Sequence, residues 1–160
     1  MANTTESKTN NLESSRLESL RAEFPKTEVK QRDGGFGKKL DYISIDSTIN
    51  RLLDTVGLDY EFTNCSTDLR QTNDGFLAIV SGELVVDGKA HYGVGADFDK
   101  KDPDKAVKTA LAEAIKKAGH QLGIGLYLWD EAKREEIAEF RKVGDQKQHS
   151  QAAAKPKLAF

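Results

Sequence analysis

The chain has 160 residues, 38% of them hydrophobic and 31% charged, which is the composition of a single globular domain with a substantial core. No apolar run approaches the ~20 residues of a membrane span, residues 1–24 contain no signal-peptide core, and a single cysteine excludes an intrachain disulfide, so we expect no membrane contact and a reducing, cytoplasmic location. The formal net charge of −2 excludes binding of nucleic acid through overall charge, so any such site must arise from local clusters of basic residues.

Two short helices are predicted in the first part of the chain. Residues 1–11 are polar and predicted to be disordered, which places the folded domain at residues 12–143. The first helix ends before Pro25, and its apolar positions are Leu12, Leu17, Leu20 and Phe24. The second helix ends at Gly57, and its apolar positions at i, i+3, i+4 and i+7 are Ile49, Leu52, Leu53 and Val56.

Three strands are predicted next, over residues 60–69, 76–86 and 90–96. The turn Asn73-Asp74-Gly75 separates the first two strands, and Asp87-Gly88, a strong two-residue hairpin signal, joins the second to the third. One face of the third strand consists of Ala90, Tyr92, Val94 and Ala96. Its internal glycines, Gly93 and Gly95, indicate a bulge or the close approach of another backbone.

A long helix follows, with Asp102 as its N-cap and Pro103 at its first position. Its predicted apolar face consists of Val107, Leu111, Ala114, Ile115, Ala118 and Leu122. After it, an apolar segment with Gly123 and Gly125 is predicted to form a buried connection or a subunit contact. A last helix is predicted over residues 130–142 and a flexible tail over residues 144–160. The order of elements predicts an α+β fold, a three-stranded antiparallel meander followed by a long helix (a β-β-β-α core) with flanking short helices.

Basic residues cluster in three places, and each cluster is either a solvated surface or a phosphate-binding site. The long helix carries its positive side chains away from its apolar face, at Lys105, Lys108, Lys116 and His120, with Lys117 at the margin. Lys100 and Lys101 lie at the junction between the third strand and this helix. The third cluster surrounds a turn with three glycines that allow the backbone to approach a ligand, and consists of Lys30, Arg32, Lys38 and Lys39. This segment is either a flexible hairpin tip or a phosphate-binding loop.

Two other classes of function stay open on these residues. Asp97, Asp99 and Asp102 could hold Mg²⁺ in a DNA nuclease, although a strand end next to a helix start is also where turn and cap residues are found. The region from Trp129 to Phe140, or the C-terminal KPKLAF, could serve a non-catalytic interaction adaptor. The GxxxxGK[ST] spacing of an ATP-binding loop is absent and no Ser, His and Asp set has nucleophile spacing, so we expect no ATP and no catalysis.

Four stretches, taken together, resemble the single-strand annealing proteins of the Rad52 superfamily, including their short bacteriophage relatives. Residues 41–57, DYISIDSTINRLLDTVG, are similar to the helix that precedes the meander in this family. Residues 75–98, GFLAIVSGELVVDGKAHYGVGADF, are similar to its hairpin and glycine-rich strand. Residues 104–123, DKAVKTALAEAIKKAGHQLG, resemble its long helix, and residues 123–130, GIGLYLWD, resemble the segment after that helix.

The resemblance implies a β-β-β-α fold and an oligomeric ring or filament that acts as a recombinase. It implies binding and annealing of single-stranded DNA without ATP, in homologous recombination and DNA repair. The implied partners are single-stranded DNA, further copies of the chain and, as a candidate, a single-stranded DNA-binding protein. No cofactor is implied, and Mg²⁺ would serve only to aid DNA binding. For a bacteriophage protein the implied location is the cytoplasm of the bacterial host.

Positions carried over from the family give the expected DNA contacts. Lys116 and Lys117 match the family's basic pair in the DNA groove, and Lys100 or Lys101 lies near a second, outer DNA site. Ser47 falls where eukaryotic members have a DNA-contacting arginine, with Arg51 one turn further on, and His120 replaces a basic residue. Together with the basic clusters of the long helix and the glycine turn, the full expected set is Lys116, Lys117, Lys100, Lys101, Lys105, Lys108, His120, Arg51, Lys38 and Lys39.

Overall fold

The structure is a computed structural model that describes residues 13–153, with side chains described up to residue 144. The predicted disordered segment, residues 1–11, lies outside this range. A first helix, α1, covers residues 13–21 and ends before Pro25 as predicted. The elements that follow are β1 (Lys30–Asp33), β2 (Lys39–Tyr42), α2 (Ile45–Val56), β3 (Tyr60–Thr72), β4 (Gly75–Val86), β5 (Lys89–Asp99), α3 (Pro103–Gln121), a 3₁₀ helix (Leu126–Trp129) and α4 (Glu131–Ala153).

The main sheet confirms the predicted meander and the α+β fold. It consists of β3, β4 and β5 in that order, with both pairs antiparallel, and α3 packs against one face. Asp87 and Gly88 form the predicted tight hairpin, with φ values of 49° and 73° that suit a two-residue turn of the left-handed type. The ladder between β4 and β5 extends to the pair of Phe76 and Asp99, which makes β5 longer than predicted.

The backbones of β5 and α3 lie unusually close because β5 supplies glycines at the contact. A Cβ atom at Gly93 would lie 2.0 Å from the carbonyl oxygen of Ala114, and one at Gly95 would lie 1.9 Å from that of Ala110. Either substitution would overlap the α3 backbone. The two glycines therefore mark a close backbone approach, one of the two predicted alternatives.

The buried face of α3 differs from the predicted apolar face. Its fully buried side chains recur every four residues and are Ala106, Ala110, Ala114 and Ala118. Leu111 is 37% exposed, and Val107 and Ile115 are half-buried, so the larger apolar residues lie on the flank of the helix. The prediction placed these larger residues at the contact, whereas the glycine strand leaves room there only for alanine.

The larger core lies where α1, α2, α3 and the 3₁₀ helix meet the end of β4. Its buried side chains include Leu20, Phe24, Leu52, Leu84 and Ile124. Ser44 caps α2 by accepting a 3.2 Å hydrogen bond from the backbone N–H of Ser47, and Gly57, with φ of 64°, ends this helix as predicted.

The segment after α3 is buried from Leu122 to Gly125 and at Leu128, which confirms the predicted buried connection at these residues, whereas Leu126 and Trp129 are exposed. α4 then extends to Ala153, past the predicted end at Lys142. Residues 144–153 of the predicted flexible tail are therefore helical, and residues 154–160 lie outside the described range. Within that range, none of the helices combines the length and the apolar character that crossing a membrane requires.

The strands β1 and β2, whose glycine turn was predicted as a flexible hairpin tip or a phosphate-binding loop, form a separate two-stranded antiparallel sheet. All four residues of β1 are exposed, so no apolar alternation marks it in the sequence. Arg141 of α4 holds this hairpin, because it pairs with Asp41 and donates a 2.9 Å hydrogen bond to the carbonyl oxygen of Val29. The hairpin is thereby placed opposite α3.

Candidate nucleic-acid interface

A groove of about 230 Å³ lies between the β1–β2 hairpin, the C-terminal half of α3 and the start of α4, and we call it the basic groove. Its basic side chains are Arg32, Lys39, Lys116, Lys117, His120 and Arg134. Tyr42 and Trp129 supply aromatic rings. The carboxylates among its lining residues are Asp41 and Glu113, and each is paired with a cation.

A second depression continues the basic groove along α3. It shares Arg32, Tyr42, Glu113 and Lys116 with the groove and reaches Lys108. At ~1.5 Å of rise per residue, Lys108 lies roughly 12 Å from Lys116 along the helix axis. The two depressions thus form one surface that follows α3, and this surface brings together five predicted contacts, namely Lys39, Lys108, Lys116, Lys117 and His120.

A connected group of side chains joins α3 to the hairpin across the groove. The Nζ atom of Lys116 donates a 2.6 Å hydrogen bond to Oε1 of Glu113, and a guanidinium nitrogen of Arg32 lies 3.6 Å from the same oxygen. Both cations also approach the Tyr42 ring, with Lys116 at 5.4 Å and Arg32 at 5.8 Å from its centroid.

Glu113 stays ionised within this group. Burial raises the pKa of its carboxyl, but the hydrogen bond from Lys116 and the charges of Lys116, Arg32 and Lys117 together lower the pKa by more. One negative charge is therefore fixed between two positive ones, and the group keeps a net positive charge.

The two lysines of the predicted basic pair differ in environment. The Lys116 side chain is 13% exposed and shares its charge with Glu113. Lys117 is exposed and, within the described part of the chain, no carboxylate lies within ion-pairing distance of it. The same holds for Arg134 across the groove. Lys117 and Arg134 are thus the cations of the groove that are most available to a phosphate.

His120 lines the groove with a depressed pKa. Burial lowers the pKa of its imidazole below the ordinary 6.5, the charges of Lys116 and Lys117 lower it further, and Glu113 opposes them. The lowered pKa favours the neutral imidazole, which can donate or accept a hydrogen bond.

The other end of α3 carries a second group of predicted contacts, Lys100, Lys101 and Lys105. Lys105 pairs with Asp99 at 2.8 Å, and Asp99 also accepts 2.9 Å hydrogen bonds from the backbone N–H groups of Lys101 and Asp102. The hydrogen bond from Lys105, followed by the two backbone bonds, holds the pKa of the Asp99 carboxyl far below its usual value. Lys100 and Lys101 remain exposed.

The acidic residues next to these lysines act as turn and cap residues. Asp102 accepts a 3.1 Å hydrogen bond from the backbone N–H of Lys105 and caps α3, as predicted. Residues 13–153 contain no group of three or more His, Cys, Asp and Glu side chains arranged to hold a metal ion. The geometry therefore gives no support to the nuclease alternative at Asp97, Asp99 and Asp102.

Besides the three lysines at the other end of α3, two further predicted contacts do not line the groove. Arg51 donates hydrogen bonds to the carbonyl oxygens of Ser19 at 2.8 Å and Ala22 at 2.6 Å, and its guanidinium lies 4.0 Å from the centroid of the Phe24 ring. It therefore ties α1 to α2. Lys38 lies exposed next to β2. Lys39, its neighbour in the groove, pairs with Asp33 across the hairpin.

The structure adds four groove residues that were not among the expected contacts, Arg32, Tyr42, Trp129 and Arg134. Arg32 and Tyr42 lie diagonally on one face of the hairpin, and only the pairing of β1 with β2 reveals that relationship. Trp129, the last residue of the 3₁₀ helix, and Arg134, at the start of α4, also line the groove, and neither shows a local signal in the sequence.

The fold and the groove define an α+β protein with a β-β-β-α core and a basic, partly aromatic surface suited to a polyanion. The chain belongs to the Rad52/22 family of double-strand break repair proteins, because the model of that family matches residues 13–147. This match confirms the resemblance found in the sequence. Membership places the protein in DNA repair and recombination, with single-strand annealing as the activity of the family. No curated protein matches the chain significantly.

Proposed function

We propose that this protein binds single-stranded DNA along the basic groove and anneals complementary strands without ATP, as an oligomeric ring or filament. The observation that carries the proposal is the continuous surface from Arg134 past Lys117 and Lys116 to Lys108, whose acidic residues are already paired. Cations on a rigid helix contact the sugar-phosphate backbone whatever the base sequence, as annealing of arbitrary sequences requires.

The mechanism is physical rather than chemical. Phosphates neutralised along α3 hold the strand extended, and the pairing edges of its bases stay accessible. A second strand then tests pairing against a template whose conformational entropy has already been reduced. No step needs a nucleophile or a resident metal ion, so the protein acts as an annealing protein rather than an enzyme.

Assembly is supported by the open face of the main sheet. α3 covers one face, whereas on the other face Tyr92 is 56%, Val94 37% and Phe98 44% exposed. These side chains form an apolar surface suited to a second copy of the chain. Repetition of the groove from copy to copy adds avidity, because the few cations of one chain bind DNA weakly.

The test is a fluorescence annealing assay with complementary oligonucleotides, run without nucleotide across a salt series. We expect faster pairing with intact products, and a rate that falls steeply as salt rises. Cleavage of the DNA in the presence of Mg²⁺ would instead support a nuclease. If the protein neither binds single-stranded DNA nor speeds pairing at low salt, the proposal is contradicted. The remaining alternative is then a non-catalytic interaction adaptor.

A further inference from the structure

Trp129 is an exposed aromatic residue at the basic groove. It is the single tryptophan of the chain, and it is 73% exposed. Tryptophan buries much of its surface in most folded proteins, because its large ring gains the most from leaving water. Here the ring lines the same groove as Lys117 and Arg134, where an apolar core function is excluded.

The backbone that carries Trp129 is held by hydrogen bonds on both sides. Gly125 begins the 3₁₀ helix in the left-handed conformation, with φ of 70°. The N–H of Asp130 donates to the carbonyl oxygen of Tyr127 at 3.0 Å, and the Asp130 side chain accepts from the N–H of Lys133 at 3.2 Å. Trp129 therefore lies on an ordered turn just before α4, so the backbone that carries its ring is held in place.

Two cations already contact the other aromatic ring of the groove, that of Tyr42. Lys116 and Arg32 both approach the Tyr42 ring, at 5.4 and 5.8 Å. In the described part of the chain, no cation approaches the Trp129 ring in this way. The exposed face of Trp129, beside the cations most available to phosphate, thus matches the two halves of a nucleotide, an apolar base and an anionic backbone.

We propose that Trp129 stacks on one base of the bound strand while Lys117 and Arg134 contact the adjoining phosphates, and that this contact gives the groove its preference for single strands over duplex. The proposal rests on the proposed function and names its ligand class, an unpaired nucleobase. Duplex bases are stacked on each other and cannot reach a side chain outside the helix, whereas single-stranded bases can. Stacking uses the face of the base and leaves its pairing edge free for annealing.

The intrinsic fluorescence of the single tryptophan tests this directly. Titration of the full-length protein with an unlabelled thymidine oligonucleotide is expected to quench Trp129 emission in parallel with binding measured by an independent anisotropy assay. A hairpin duplex of equal charge is expected to cause little quenching. Trp129→Ala is expected to lower single-strand affinity at least about fivefold and to leave duplex affinity unchanged, and Trp129→Phe to retain most of the affinity.

Phe140→Ala provides the matched control, since Phe140 is an aromatic residue of α4 that is 45% exposed and does not line the groove. Binding of single-stranded DNA without quenching, together with unchanged affinity in Trp129→Ala, would overturn the stacking proposal and leave the annealing function intact. Loss of oligomers in Trp129→Ala, seen by native mass spectrometry, would overturn it by making Trp129 a subunit contact. Failure of the unmodified protein to bind single-stranded DNA would remove both proposals together.

Discussion

Lys116 and Glu113 form a 2.6 Å ion pair one turn apart on α3, at the centre of the basic groove. The pair has two consequences. It fixes the long lysine side chain in one position, and it withdraws part of the positive charge from the surface that would meet DNA. The affinity of the groove for phosphate therefore depends on the carboxylate of Glu113 as well as on the lysines.

Replacement of both basic-pair residues is the first prediction. Lys116→Ala with Lys117→Ala is expected to weaken single-stranded DNA binding and to flatten the plot of log affinity against log salt by roughly 1–2, because up to two phosphate contacts are lost. Lys117→Ala alone is expected to account for most of the effect, since Lys116 is already paired. Affinity measured across a salt series checks this, and an unchanged slope in the double variant would remove both residues from the site.

Removal of the negative charge at Glu113 should act in the opposite direction. In Glu113→Gln, Lys116 and Arg32 lose their carboxylate partner, so single-stranded DNA is expected to bind more tightly and with a steeper salt dependence. Glu135→Gln, a change of the same charge on α4 at a residue that does not line the groove, serves as the control. Weaker binding in Glu113→Gln would show that Glu113 aids DNA binding by positioning Lys116, rather than opposing it by offsetting the charge of Lys116.

The contact of β5 with α3 predicts a large stability effect from a single methyl group. Gly95→Ala is expected to lower the free energy of unfolding by about 1–3 kcal/mol or more, because the new Cβ overlaps the carbonyl oxygen of Ala110. Gly144→Ala adds the same methyl group in open space within α4 and is expected to be neutral or stabilising by up to about 1 kcal/mol. Urea unfolding of both variants checks the comparison, and equal stability would refute the close contact.

Arg51 should behave as a structural residue in spite of its basic charge. Arg51→Ala removes the hydrogen bonds to Ser19 and Ala22 and the contact with Phe24, so we expect a loss of about 1–3 kcal/mol in unfolding free energy. The salt slope of DNA binding is expected to stay unchanged when measured well below the unfolding transition. A reduced slope with normal stability would instead restore Arg51 as a phosphate contact.

The depressed pKa of His120 predicts a pH dependence with opposite signs for stability and binding. Below pH 6.5 the unfolded chain takes up a proton that the folded chain resists, so the unfolding free energy due to this residue falls as pH falls through the folded pKa. Bound phosphate favours the protonated imidazole, so DNA affinity is expected to rise over the same range. His120→Gln should flatten both trends, and His91→Gln, on β5, should preserve them.

The sequence predicted the parts of the fold that have strong local signals. As predicted, Gly57 ends α2, Asp87-Gly88 forms the turn between β4 and β5, and Asp102 caps the start of α3. Only the glycine turn of the exposed β1–β2 hairpin shows in the sequence. On α3, Ala114 and Ala118 were predicted in the buried face, whereas Ala106 and Ala110 were missed because the glycines of β5 determine which face is buried.

The candidate site was predicted mainly in its α3 half, with Lys39 as the predicted contact on the hairpin side of the groove. Lys116, Lys117 and His120 follow from helix spacing, whereas Arg32, Tyr42, Trp129 and Arg134 join them through tertiary packing. Helix spacing alone also does not predict the ion pair of Lys116 with Glu113, because a carboxylate three residues away on a helix can face either the lysine or solvent.

The β1–β2 hairpin shares no backbone ladder with the main sheet. It is fastened to the body of the molecule by side chains, namely Arg141 to Asp41 and Arg32 to Glu113. The width of the groove therefore depends in part on these ion pairs, while the buried Val29 and Ile43 anchor the two ends of the hairpin. Salt ions that compete with DNA for the lysines also weaken these ion pairs. We therefore expect a change in ionic strength to alter both the affinity for the strand and the width of the groove.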